Sequence, residues 1–174
     1  MSLRRVDPRA RKSALRRGLE AFGRRPVGRW YGIHVAAPLD AMLLRRTGGR
    51  VRLVGPLPTA LLETIGAKSG ARRQTPVVYF HPDPARDDVV LVASSFGRDR
   101  HPAWFHNLLA HPECSLNGLA FHAAEVEDAS ERTLLYELAR RVYAGYGDYE
   151  DLAARTGRVI PVLRLTPAEP TTDC

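Results

Sequence analysis

Gly66-Ala67-Lys68-Ser69-Gly70-Ala71-Arg72-Arg73 puts two glycines, a hydroxyl and three cations into eight positions. The freed backbone N–H groups and the cations of such a turn can hold a phosphate or a carboxylate. It is not a P-loop, because Ala67 rather than Gly precedes Lys68 and a strand rather than a helix is expected to follow. A solvated basic hairpin turn is the plain alternative. The chain has two lysines and one of them stands here, which weighs toward the anion-binding reading.

A second cluster is Ala93-Ser94-Ser95-Phe96-Gly97, followed by His101-Pro102-Ala103-Trp104-Phe105-His106-Asn107. Small residues at a strand end let a flat ring approach the backbone, and the N-terminus of a following helix offers free N–H groups. His101 invites a catalytic role and Trp104 a stacking one. Against these stand a polar residue before proline for His101, a core position for Trp104, and a structural hydrogen bond to a loop for His106 and Asn107. The third cluster is Tyr143, Tyr146 and Tyr149, three of the six tyrosines, spaced by three at a Gly-broken junction between helices. Such a set can enclose an aromatic substrate, and each phenol can donate a hydrogen bond or a proton. Helix-end packing with the hydroxyls in solvent has equal weight.

Other chemistries lack their residues. Gly-x-Ser-x-Gly, HExxH and an EF-hand loop are absent, no carboxylate pair stands out, and no metal site is expected. Cys114 and Cys174 lie far apart with no ligand-spaced His or Cys near either, which argues against a disulfide scaffold. What is left is a cage for a flat anionic cofactor that itself brings the redox chemistry.

These clusters must be carried by a framework. Short apolar or aromatic runs bounded by Gly, Pro or Asp predict strands at Val51–Val54, Leu61–Ile65, Thr75–Phe80 and Val89–Ser94, with a loop over His81–Asp88. Ala103–Ala110 reads as a short helix. Cys114–Asn117 and Phe121–Glu127 form a hairpin about Asn117 and Gly118. Asp128 and Glu131 have capping-box spacing and start a helix running to about Tyr143. A helix near Tyr149–Arg155 precedes a closing strand, Val159–Leu165. Strands joined by hairpins imply an antiparallel sheet, and a small barrel of six or seven strands removes its edges.

The 174 residues fit one domain, and 44% hydrophobic with 26% charged residues is a globular balance. The net charge of +7 is uneven: residues 1–60 hold 14 Lys and Arg against 3 Asp and Glu, whereas the remainder is mildly acidic. A basic segment on an acidic body points to a polyanion, whether nucleic acid, anionic membrane or anionic ligand. An arginine-rich surface is the alternative, since 24 of the 26 cations are Arg. The first 28 residues read as a basic helix with Leu15, Leu19 and Phe22 on one face, able to pack on the body or lie on an anionic membrane. Trp30–Leu44 reads as one or two further helices. The absence of a recognition-helix or aromatic RNA-binding pattern argues against a specific nucleic-acid partner. With no bilayer-length apolar run and no cleavage site, a cytoplasmic protein is expected, in reach of the inner face of the plasma membrane.

GAKSGARRQTPVVYF, VVLVASSFGRDRHPAWFHNLLAHPE and VYAGYGDYEDLAARTGRVIPVLRLTP, with PLDAMLLRRTGGRV upstream, resemble the deazaflavin-dependent nitroreductase family of actinobacteria. The resemblance covers roughly Trp30 to Pro167. It implies an α+β split β-barrel, related to FMN-binding oxidoreductases, with flanking helices over residues 29–167. Residues 1–28 would be a basic extension and residues 168–174 a tail. It further implies reduced coenzyme F420 as hydride donor to a quinone, nitroaromatic or other activated acceptor.

On matching positions, Lys68, Ser69, Gly70 and Arg73 would hold the cofactor's phosphate and oligoglutamate tail. Pro76, Val77 and Val78 would line one side of the ring, and Ala93, Ser94 and Ser95 the other. Pro102, Trp104 and Asn107 would shape the pocket. Tyr143, Tyr146 and Tyr149 would form the catalytic substrate side, with Ser94 also touching the acceptor. Three positions depart from the pattern. Ala67 stands where some members carry Arg, Val78 where some carry Tyr, and Phe96, which would narrow the pocket, where some carry Gly. An FMN-dependent oxidoreductase and a non-catalytic ligand carrier on the same barrel are the alternatives.

Overall fold

The computed structural model describes residues 3–10, 18 and 57–168. The helix carrying Leu15, Leu19 and Phe22, the segment Trp30–Leu44, the strand Val51–Val54 and Cys174 lie outside the described residues. Six strands follow in chain order: β1 Thr59–Ile65, β2 Arg72–Phe80, β3 Val89–Val92, β4 Glu113–Leu116, β5 Leu119–Glu125 and β6 Val162–Pro167. They close into an antiparallel barrel in the order β1-β2-β3-β6-β5-β4. Helix α1, Ala103–Ala110, lies between β3 and β4, and helices α2, Ala129–Val142, and α3, Gly145–Ala154, lie between β5 and β6.

Alternation along the strands divides the apolar residues between two cores. Ala60, Leu62, Val77, Tyr79, Val89, Leu91, Leu163 and Leu165 fill the barrel together with Trp104 and Phe105 of α1. Phe80, Val90, Val92 and Val162 face outward and are covered by Leu135, Leu138 and Val142 of α2 and by tyrosines of α3. Burial on both faces is why β3 reads as an unbroken apolar run. Pro76, which has no N–H, falls where β2 pairs with β1, opposite Leu61. The β2–β3 ladder holds only the pairs Tyr79↔Leu91 and Phe80↔Val90, so the earlier residues of β2 part from β3 and the barrel is split there.

Local signals explain the joints. Asn117 and Gly118 both have positive φ, 49° and 84°, as a two-residue hairpin turn requires. The Asn117 side chain also accepts from Leu61 N at 2.8 Å. Asp128 caps α2 by accepting from Glu131 N at 2.7 Å.

Several expected boundaries move for identifiable reasons. β2 starts at Arg72 rather than Thr75 because left-handed Gly70 closes the preceding turn and lets Ile65 pair with Arg72 at once. α3 starts at Gly145 rather than Tyr149, which places Tyr146 and Tyr149 one turn apart on one helix. β6 starts at Val162 rather than Val159, after Pro161, which cannot donate to a ladder.

The N-terminal residues also differ from expectation. Residues 3–10 are not helical but lie against the β2–β3 hairpin. Val6 N donates to His81 Nδ1, His81 N donates to Val6 O, and the Tyr79 hydroxyl donates to Arg4 O. Arg5 pairs with Asp87, and Arg9 donates to Pro82 O. Part of the basic excess therefore serves the barrel. No helix among the described residues is long and apolar enough to cross a membrane.

Candidate active site

The basic turn is built by two close approaches. A Cβ on Gly66 would lie 2.6 Å from Ser69 Oγ and 3.3 Å from Ala71 O, so glycine lets the turn fold back with Ser69 in its present place. Gly66 N donates to Ala71 O and Gly70 N to Gly66 O, both at 2.8 Å. Asn107 of α1 then locks the turn in place. Its Oδ1 accepts from Ala67 N and its Nδ2 donates to Thr64 Oγ1, each at 3.0 Å. The structural hydrogen bond to a loop suggested for Asn107 is what it makes.

Between this turn and the first residues of α1 runs an open groove of about 1230 Å³ lined by Lys68, Ser69, Arg72, Arg73, Trp104 and Asn107, among others. α1 follows Pro102 with no side-chain cap, and Ala103 and Trp104 border the groove. Glu63 is the one carboxylate in the lining. Arg72 holds it at 2.7 Å and Gln74 at 3.1 Å, which leaves Lys68 and Arg73 without an acidic partner among the described residues. Arg73 makes only a long contact, 3.4 Å, to Ser69 Oγ. Two cations, a hydroxyl and an uncapped helix start are a donor set for phosphate and carboxylate.

The other cofactor positions are distributed around the split. Gly70 shapes the turn without lining the groove. Pro76 and Val78 are half-buried on the outer face of β2, and Val78 packs against the helix-covered core. Val77 points the other way, into the barrel. Ala93 is fully buried and donates to Pro161 O, while Ser94 and Ser95 are half-buried in the turn after β3. Trp104 is a core residue of the barrel that also borders the groove.

The tyrosines do come together. Tyr143, Tyr146 and Tyr149 meet pairwise with ring centroids 5.8 to 6.1 Å apart, and Phe96 joins Tyr149 at 5.8 Å. Tyr146 and Tyr149 are buried and Tyr143 is half-buried. Burial, reinforced by Tyr136 and Tyr143, pushes the Tyr146 phenol well above its ordinary range, so it stays protonated at any physiological pH. Two glycines permit this packing. A Cβ on Gly145 would meet the Tyr143 ring at 2.4 Å, and one on Gly97 would meet Leu152 Cβ at 2.8 Å.

Arg158, in the loop before β6, carried no sequence signal that set it apart from the other arginines. It donates to the carbonyls of Ala93, Ser94 and Arg98 and to His101 Nδ1. Burial, then Arg158 and His106, lowers the His101 pKa, which keeps Nδ1 an acceptor. Cys114 is no nucleophile, since burial and Glu113 push its thiol up to about 12.

The family of F420H(2)-dependent quinone reductases matches residues 39–167, a range that takes in every element of the barrel. The chain belongs to that family. An F420H(2)-dependent quinone reductase of Mycobacterium tuberculosis (strain ATCC 25618 / H37Rv) is 33% identical over 152 residues, covering 80% of this chain and 97% of that protein. Among solved structures, an F420-H2 dependent reductase (FDR-A) is 29% identical with a TM-score of 0.50, covering 62% of this chain and 93% of the other. A chain described as a domain-swapped dimer is 30% identical with a TM-score of 0.55, covering 74% and 93%. The protein is thus an F420H2-dependent oxidoreductase on a split barrel, and reduced F420 takes precedence over FMN as its cofactor.

Proposed function

We propose that this reductase binds reduced F420 along the groove between the Gly66–Arg73 turn and α1, and passes its hydride to a quinone at the tyrosine side. The observation that carries this reading is the pair of cations, Lys68 and Arg73, that have no acidic partner among the described residues and lie beside an uncapped helix start. When bound, reduced F420 supplies the hydride. Lys68, Arg73 and Ser69 hold the phosphate and carboxylates, and Asn107 keeps the turn that presents them. Pro76, Val78, Ser94 and Ser95 border the split beside the ring. As negative charge grows on the acceptor oxygen, the Ser94 and Tyr143 hydroxyls donate to it, both being half-buried rather than enclosed like Tyr146 and Tyr149. Buried Tyr146 and Tyr149 form the wall behind them and exclude water.

Nitroaromatic compounds are acceptors of the same class in this reading, being flat and reducible by two electrons. Contact with an anionic membrane through Arg11, Lys12, Arg16 and Arg17 would bring the enzyme to lipid-borne quinones. Co-sedimentation with anionic vesicles, abolished by salt, checks that contact. The reductase reading is tested by anaerobic mixing with reduced F420 followed by a panel of quinones and nitroaromatics. Oxidation of F420 by a quinone is expected. Binding without oxidation by any acceptor would favour the ligand carrier.

A further inference from the structure

Ser95, Phe96 and Gly97 have φ of 50°, 58° and 74°, three consecutive residues in the left-handed region. That region suits glycine, and a phenylalanine there is held against its local preference. Arg158 does the holding. Its Nη1 donates to Ser94 O at 3.0 Å and to Arg98 O at 2.6 Å, its Nη2 to Ala93 O, and its Nε to His101 Nδ1 at 3.0 Å. The accepting carbonyls bracket the turn on both sides. Gly97 is confined as well, since a Cβ there would meet Leu152 Cβ at 2.8 Å and the Tyr149 carbonyl of α3 at 3.0 Å.

The residue presented by this arrangement is a large apolar ring left 41% exposed. Phe96 meets Tyr149 edge-on at 5.8 Å, and Tyr149 in turn meets Tyr143 and Tyr146. Through Tyr149 the ring carries the buried aromatic cluster out to the surface, two residues after half-buried Ser94. Neither the strain nor the exposure helps the fold. Both are explained if the ring faces a ligand.

We propose that Phe96 determines acceptor specificity. Its ring forms an apolar wall at the mouth of the tyrosine cluster, favouring compact planar quinones over bulky substituted ones, and Arg158 is the positioning residue that fixes this wall. The proposal rests on the quinone-reductase reading above.

The test compares kcat/KM, with reduced F420 as donor, for 2-methyl-1,4-naphthoquinone and for the same ring bearing a long isoprenoid chain. Phe96→Gly should lower the compact-to-bulky ratio about tenfold, chiefly through KM, the scale of discrimination an apolar contact supplies. F420 affinity should hold, and the melting temperature should not fall, because glycine accepts the left-handed backbone. Arg158→Lys, which keeps the charge but loses the fork, should shift the ratio the same way. An active wild type whose ratio survives Phe96→Gly overturns the proposal alone. A wild type inactive with both quinones overturns the reductase reading, and the proposal with it.

Discussion

The basic groove and the tyrosine cluster answer opposite demands with opposite construction. The groove is open, and its cations Lys68 and Arg73 remain exposed because Glu63 is already held by Arg72 and Gln74. The cluster is closed, its rings packed against α2 and β3, with only the edges of Tyr143, Ser94 and Phe96 reaching outward. A charged ligand is met by preserved hydration and long-range attraction, whereas a neutral aromatic one is met by a dry wall. Each region also has its own tolerance to change. The groove depends on charge and can lose packing; the cluster depends on packing and has almost no charge to lose.

Glycine replacements separate the two most sharply. Gly97→Ala combines a left-handed backbone, φ 74°, with a clash on Leu152 and the Tyr149 carbonyl, and should cost about 3 kcal/mol. Gly70→Ala in the groove turn has φ 63° but nothing within 4 Å, so only the backbone term remains, about 1 kcal/mol. Denaturant midpoints of the two variants should differ accordingly. Equal losses would mean the cluster is no tighter than the turn.

A smaller effect probes the junction between the regions. His101 accepts from Arg158 only when neutral, and its pKa lies below the ordinary 6.5 through burial, then Arg158 and His106. His81, which accepts from Val6 N, is lowered as well, by burial and then Arg5, with Asp87 opposing. The unfolded chain takes up these protons more readily than the folded one. The stabilisation is therefore complete above pH 6.5 and is lost as pH falls through the lowered values. Stability should fall as pH drops below 6.5, and His101→Gln should flatten part of that slope. An unchanged slope would show that His101 does not couple the regions.

The two regions were unequally legible in the sequence. Alternation and the Asn117-Gly118 turn define the hairpins, and a run such as Val89–Val92 is apolar because two cores share it. The basic turn could be seen because its glycines and cations are contiguous. The spacing of Tyr143, Tyr146 and Tyr149 marked a cluster, but three tyrosines at that interval look alike whether they enclose a ligand or bury one another. Burial of Tyr146 depends on α2 and α3 docking together over Phe80, Val90 and Val92 of distant strands, which residue type does not mark. Arg158 escaped notice because three of its four partners are backbone carbonyls some sixty residues away, which leave no trace in residue type. Asn107 was legible as a hydrogen-bonding residue, yet its partners, Ala67 and Thr64, emerge only when α1 docks against the turn.

On the proposed reading, the Gly66–Arg73 turn holds F420 by charge while the acceptor reacts beside the tyrosines. Anaerobic titration of wild type and Lys68→Ala with reduced F420, followed by quinone at saturating cofactor, tests it directly. Lys68→Ala should weaken F420 binding about tenfold, more at low salt than at high, with the turnover rate at saturation unchanged. Equal affinity in the two proteins, or tight binding of FMN with none of F420, would contradict it.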